Sequence, residues 1–197
     1  MAMPPIHQTI RRRIDEHRRA VERLGDRQIA DIAAAAEMLC ECLAAGGRIL
    51  ICGNGGSAAD AQHIACELVG RFLVNRRALP SIALSTNSSI LTCVANDYDF
   101  ESVFARQVEA LAQPPDVLWA ISTSGNSPNV LAAAEKARSL DVKVLGFAGG
   151  DGGKLANISD ICFIAPANGS FAVQQIHQIA YHVLCEIVEA SAVADSR

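Results

Sequence analysis

Apolar positions along the chain fall into two patterns. In the first they form short runs: Ile49-Leu50-Ile51-Cys52, Ser81-Ile82-Ala83-Leu84-Ser85, Val117-Leu118-Trp119-Ala120-Ile121, Val142 to Phe147, and Ile161-Cys162-Phe163-Ile164. Such runs are too brief for helices and predict buried strands. In the second pattern apolar residues recur every three or four positions, which predicts helices. These cover His7 to Leu24, Asp26 to about Ala45, Ala58 to Val69, Thr86 to Ala95 (ending at Asn96-Asp97), Phe100 to Leu111, Pro128 to Leu140, and Phe171 to about Ala192. From the first run onward strands alternate with helices, the signature of a parallel sheet covered on both faces. The first two helices stand outside that repeat and are expected to pack on the sheet from outside or against another subunit. Asp26 is the expected cap of the second.

Ligands of such sheets gather beyond the carboxyl ends of the strands. Two loops leave strands at that end. Gly53-Asn54-Gly55-Gly56-Ser57 follows the first strand, and its glycines allow a tight turn with N–H groups pointing inward, next to a helix N-terminus; that geometry suits a phosphate or another anion. An unliganded βα turn would have the same glycines. Ser122-Thr123-Ser124-Gly125-Asn126-Ser127 follows the third strand and offers four hydroxyls before Pro128, a residue suited to a first helical turn. Helix capping accounts for one or two of them. No Gly-Lys-Ser/Thr follows the glycines, so a nucleoside triphosphate is not the expected ligand. Gly149 to Gly153 reads as a turn. One turn into the helix after the first loop, His63 and Glu67 are four apart and share a face.

Composition narrows the field. Half of the 197 residues are hydrophobic and only 19% are charged, with a mean hydropathy of +0.21. One domain is expected, 1–197, with helix faces left over to bury between subunits. No run reaches the roughly 18 apolar residues of a membrane span, and Met1-Ala2-Met3-Pro4-Pro5 lacks the apolar core of a secretion signal. The seven cysteines are scattered and suggest neither a disulfide framework nor a Cys-rich zinc site, so small core residues in a reduced, cytoplasmic protein are expected. A net charge of −4 argues against nucleic acid as the main partner. The first helix is locally basic, with Arg11, Arg12, Arg13, Arg18 and Arg19; a solvated face is the plain reading and a docking surface the sharper one.

Taken together, Gly53-Asn54-Gly55-Gly56-Ser57, His63, Glu67-Leu68, Gly70-Arg71, Asn96-Asp97, Ser122-Thr123-Ser124-Gly125-Asn126-Ser127, Gln174 and His182 resemble the sugar isomerase (SIS) domain family. Within it they are most similar to the enzymes that isomerise sedoheptulose 7-phosphate. The resemblance covers nearly the whole chain. It implies a flavodoxin-like five-stranded parallel sheet sandwiched by helices, and a homotetramer with the segment 6–46 at its interface and active sites between subunits. It also implies one zinc per subunit, held by His63, Glu67, Gln174 and His182. The phosphate is expected on Ser122, Thr123, Ser124 and Ser127. The sugar is expected on Asn54, Gly55, Gly56, Ser57, Glu67, Asn96, Asp97 and Gln174. Glu67 is the implied base and His182 the implied acid. Two positions depart from the family: Gln175 stands where relatives often carry glutamate, and Phe171 where a polar residue is common.

Elementary chemistry supports the assignment in part. Moving a proton between adjacent carbons through an enediol needs a base, an acid and a group that polarises the carbonyl; Glu67, His182 and a His/carboxylate-bound zinc are apt for these tasks. His177 reads instead as a core or interface histidine. Gln174 and His182 lie eight residues apart, about 12 Å along a helix. They converge on one ion only if nearly extended or if the helix bends; otherwise Gln174 chiefly holds the sugar. The competing function is a non-catalytic SIS adaptor that binds a protein such as a replication initiator through the basic first helix. Adaptors of that kind typically lack the His/Glu pair. A sugar-phosphate-sensing regulator would need a DNA-binding module, and the segment 1–46 offers no convincing recognition helix.

Overall fold

The computed structural model describes residues 5–194. Its elements run α1 (Ile6–Glu22), α2 (Asp26–Ala44), β1 (Ile49–Gly53), α3 (Gly56–Val69), β2 (Ser81–Ala83), α4 (Ser88–Asp97), α5 (Ser102–Leu111), β3 (Val117–Ile121), α6 (Pro128–Ser139), β4 (Lys143–Gly149), α7 (Gly153–Ile158), β5 (Ile161–Ala165) and α8 (Ser170–Ala194). The five strands form one parallel sheet in the order β2-β1-β3-β4-β5, as the alternation of elements predicts.

Because successive side chains leave a strand on opposite faces, each face of the sheet builds its own core. Ile49, Ile51, Trp119, Leu145 and Phe147 pack with α2, α3 and α8, together with Ala20 of α1. Leu50, Cys52, Leu118, Ala120 and Val144 pack beneath α4, α5, α6 and α7. The two leading helices therefore differ. Helix α2 buries six residues, whereas α1 buries only Ala20 and leaves Ile6, Ile10, Ile14 and Val21 exposed.

Three local expectations are corrected. Gly25, not Asp26, is the N-cap of α2, and the Gln28 side chain accepts from the Gly25 N–H at 3.2 Å. Strand β2 pairs over three residues only: the chain turns at Leu84-Ser85, and the Thr86 hydroxyl donates back to the Ala83 carbonyl at 2.9 Å. The glycine-rich turn after β4 leads into a short helix, α7, which periodicity could not reveal in six residues.

Strands β1 and β3 are neighbours, paired through Gly53 and Ile121 at their carboxyl ends. From β1 the chain continues to the edge at β2, and from β3 to the opposite edge through β4 and β5. The loops after β1 and β3 thus flank the point where strand order reverses, the ligand crevice of open α/β sheets.

Candidate active site

The two loops enclose a cavity of about 280 Å³ lined by Asn54, Gly55, Gly56, Ser57, Ile121, Ser122, Thr123, Ser127, Ser170 and Gln174. No lining residue is charged, so an anion here would be held by hydroxyls and backbone N–H groups. Ser127 occupies the N-cap position of α6, but its hydroxyl does not cap; it pairs with Ser122 Oγ at 2.9 Å. Thr123 Oγ1 donates to Ser170 Oγ at 3.2 Å, tying the loop to the start of α8. Ser124 lies to one side, in an adjoining cleft with Gly149 to Asp151, and its Oγ accepts from the Asn126 N–H.

Backbone constraints explain the glycines. Gly55 has φ +55° at the N-cap of α3, and a Cβ on Gly56 would stand 2.5 Å from the Gln174 amide nitrogen. A side chain at position 56 would displace the Gln174 amide from its place in the cavity. Gly125, also at positive φ, packs directly on the Gly152 backbone, and its carbonyl accepts from the Leu155 N–H at 2.9 Å. The turn at 149–153 is thus the brace of the hydroxyl loop. A second brace joins the two loops themselves: Asn54 and Asn129 exchange amide hydrogen bonds, both 2.8 Å. Asn129 is buried in the first turn of α6.

Helices α3 and α8 both run from this cavity to a second group. His63, Glu67 and His182 are half-buried, and one ligand atom from each lies within 4.8 Å of the others. His63 Nε2–H donates to Glu67 Oε1 at 3.0 Å, and the His63 and His182 rings meet edge to face with centroids 5.1 Å apart. Two imidazoles and a carboxylate in this proximity suit a borderline divalent metal. Burial, with His63 nearby, holds His182 below the ordinary imidazole range, while Glu67 opposes that shift. Its ring is also stacked on Phe72, centroids 5.5 Å apart.

The structure brings Asn54, Gly55, Gly56, Ser57, Ser122, Thr123, Ser127 and Gln174 into one cavity and His63, Glu67 and His182 into one cluster. Asn96 and Asp97 stand elsewhere, exposed at the end of α4, where the Asn96 amide donates to Asp97 at 2.8 Å. Helix α8 runs unbroken from Ser170 to Ala194, and the Gln174 amide lies against Gly56 in the cavity. His177 is fully buried, its Nε2–H donating to the Ala148 carbonyl at 2.9 Å, as a core histidine should be.

Four residues escaped sequence reading. Asn129 was hidden behind Pro128. Tyr181, fully buried, brings its hydroxyl 2.9 Å from His63 Nδ1; burial and the Asp60 carboxylate hold that phenol well above its usual range. Phe72 lies on the loop after α3, and Glu189 anchors that loop. The Glu189 carboxylate accepts from the N–H groups of Phe72, Leu73 and Val74 at 2.8, 2.6 and 3.0 Å and faces Arg76 Nε at 3.3 Å. Burial alone would raise its pKa; the three N–H groups and Arg76 prevail and hold it low. Adjacency of Tyr181 to His182 was the one available hint; the Glu189 contacts span more than a hundred residues and left none.

Comparison with known proteins gives a consistent result. Residues 14–149 match the model of the SIS domain family. The chain is 55% identical over 159 residues to a phosphoheptose isomerase of Helicobacter hepaticus, covering 81% of each protein. It superposes on the solved phosphoheptose isomerase of Neisseria gonorrhoeae with TM-score 0.90 at 38% identity, over 94% of this chain and all of that one. For the Francisella tularensis enzyme the TM-score is 0.91 at 36% identity, over 95% and 100%.

Proposed function

The chain belongs to the phosphoheptose isomerases of the SIS-domain family, and from that premise we propose that it converts sedoheptulose 7-phosphate to D-glycero-D-manno-heptose 7-phosphate, the aldose–ketose isomerisation that supplies heptose precursors. The observation that carries this reading is the pairing of a charge-free, hydroxyl-lined cavity with the His63–Glu67–His182 cluster, joined by the same two helices. Ser122, Thr123, Ser124 and Ser127 hold the phosphate. The loop Asn54 to Ser57, with Gln174, holds the sugar; Asn96 and Asp97 reach a sugar in a neighbouring subunit of a homotetramer, whose interface includes the segment 6–46.

His63, Glu67 and His182 would hold one zinc ion per subunit, while Gln174, expected as a fourth ligand, keeps its amide against Gly56 on an unbent helix and so serves the sugar. When bound, that ion polarises the sugar carbonyl. Glu67 takes the proton from C1 of the open-chain ketose while His182 gives one to O2, leaving an enediol. Glu67 then returns its proton to C2, His182 recovers one from O1, and the aldehyde forms at C1. The seven unpaired cysteines suit a reducing cytoplasm.

Glu67→Gln tests the reading. It keeps size and an oxygen ligand but removes the base, so turnover falls by roughly 10²–10⁴-fold, the usual share of general acid–base catalysis, with fold and substrate binding retained. A metal-replete Glu67→Gln protein that exchanges the C1 proton with solvent at the parent rate would remove Glu67 from the mechanism. The adaptor reading is not favoured: the chain keeps the His/Glu pair and matches the enzymes over most of its length. The basic charge of α1 is also partly neutralised on its own surface by Glu16, Asp15 and Glu22.

A further inference from the structure

We propose that Tyr181 is a positioning residue: its hydroxyl sets which ring nitrogen of His63 faces the cluster. This rests on the reading above, in which His63 is a metal ligand. Tyr181 and His182 are consecutive on α8, so their side chains leave the helix about 100° apart. His182 enters the cluster, while Tyr181 turns into the core behind it and reaches the far side of His63.

The hydrogen bonds fix the consequence. His63 Nε2 lies 3.0 Å from Glu67 Oε1 and Nδ1 lies 2.9 Å from the Tyr181 hydroxyl. With the carboxylate accepting from Nε2–H, Nδ1 carries the lone pair and Tyr181 donates to it. A cation at Nε2 requires the opposite tautomer. The proton then sits on Nδ1, the tyrosine oxygen accepts it, and the phenolic O–H must find another acceptor. Asp60 supplies one. It lies one turn before His63 on α3, and its buried Oδ2 faces the Tyr181 hydroxyl and has no partner besides it. A hydroxyl donates and accepts, so it satisfies both tautomers; a phenyl ring satisfies neither and would leave the half-buried Nδ1–H without its tyrosine partner in the metal-bound form.

Tyr181→Phe keeps the ring and its packing and removes only the oxygen. Cobalt(II) is the probe, titrated against a chromophoric chelator and followed by its visible spectrum, with His63→Ala alongside. Tyr181→Phe is expected to bind cobalt about 10–100-fold more weakly, the usual cost of losing such a partner, and to show reduced kcat with KM little changed. His63→Ala is expected to lose the spectrum. Parent-like affinity and spectrum in Tyr181→Phe, with His63→Ala deficient, would overturn the proposal alone. Parent-like cobalt binding by His63→Ala would overturn the metal reading and this proposal with it. Should Tyr181→Phe not fold, long-range proton–nitrogen spectra of the parent decide. They are expected to show His63 protonated at Nε2 without metal and at Nδ1 with zinc, and an unchanged tautomer overturns the role.

Discussion

His177 and His182 stand five residues apart on one helix and have opposite fates. His182 is half-exposed among titratable groups; His177 is sealed between Phe147, Phe163 and a backbone carbonyl. Burial pushes His177 down to about 4, against about 6.5 in an unfolded chain. The unfolded state therefore binds the extra proton first. His177 costs nothing above pH 6.5, and stability falls as the pH drops from there toward 4, by about 1.4 kcal/mol per pH unit. Denaturation by urea at pH 7 and pH 5 checks this: the parent should lose about 2 kcal/mol more than His177→Gln between the two values. Equal losses would count against it. Such a fate was readable from sequence because the neighbours of His177 are apolar at helical spacing. The partner of His63 was not readable, since a tyrosine beside a histidine looks the same whether its hydroxyl faces solvent or an imidazole. Phe171, the departure from family pattern, is also explained only by its neighbour: the Arg13 guanidinium lies 4.2 Å over its ring.

Strands and long helices were legible because burial imposes a period on the sequence. The five strands sit where the apolar runs place them, and the loops after β1 and β3 flank the crevice as expected. What stayed illegible is held by contacts rather than by period. Helix α7 is too short, and the loop after α3 is fixed by a carboxylate from α8. The Glu189 contacts give that loop an unusual status. Leu73 and Val74 expose their side chains, yet their N–H groups, with that of Phe72, end on a buried anion. These three amides are expected to exchange with solvent as slowly as those of α8, because opening requires breaking a buried charge cluster that costs about 3–5 kcal/mol to leave half-paired. In Glu189→Gln they should exchange at least roughly tenfold faster while the sheet amides hold their rates. Loop-like exchange of all three in the parent would show that the anchor does not hold in solution. Because Phe72 stacks on His182, the anchor also steadies one wall of the cluster.

Taken as one body, the chain leaves an apolar surface without a partner of its own. Ile6, Ile10 and Ile14 mark α1, and Ile179, Val183 and Ile187 mark the outer side of α8, a stripe at helical spacing that a second copy would cover. The proposed homotetramer accounts for it. Sedimentation at micromolar concentration should show no stable monomer, and an active, monodisperse monomer would count decisively against shared sites. One adjacency on α8 then has a kinetic consequence. In the proposed mechanism His182 acts on the sugar, and Val183, the next residue, belongs to the exposed stripe that a second copy would cover. Separating subunits would uncover the valine and slacken the turn that aims the histidine. Specific activity should therefore not be a constant of the protein: after rapid dilution it should decay at the pace of subunit release, and it should return on reconcentration.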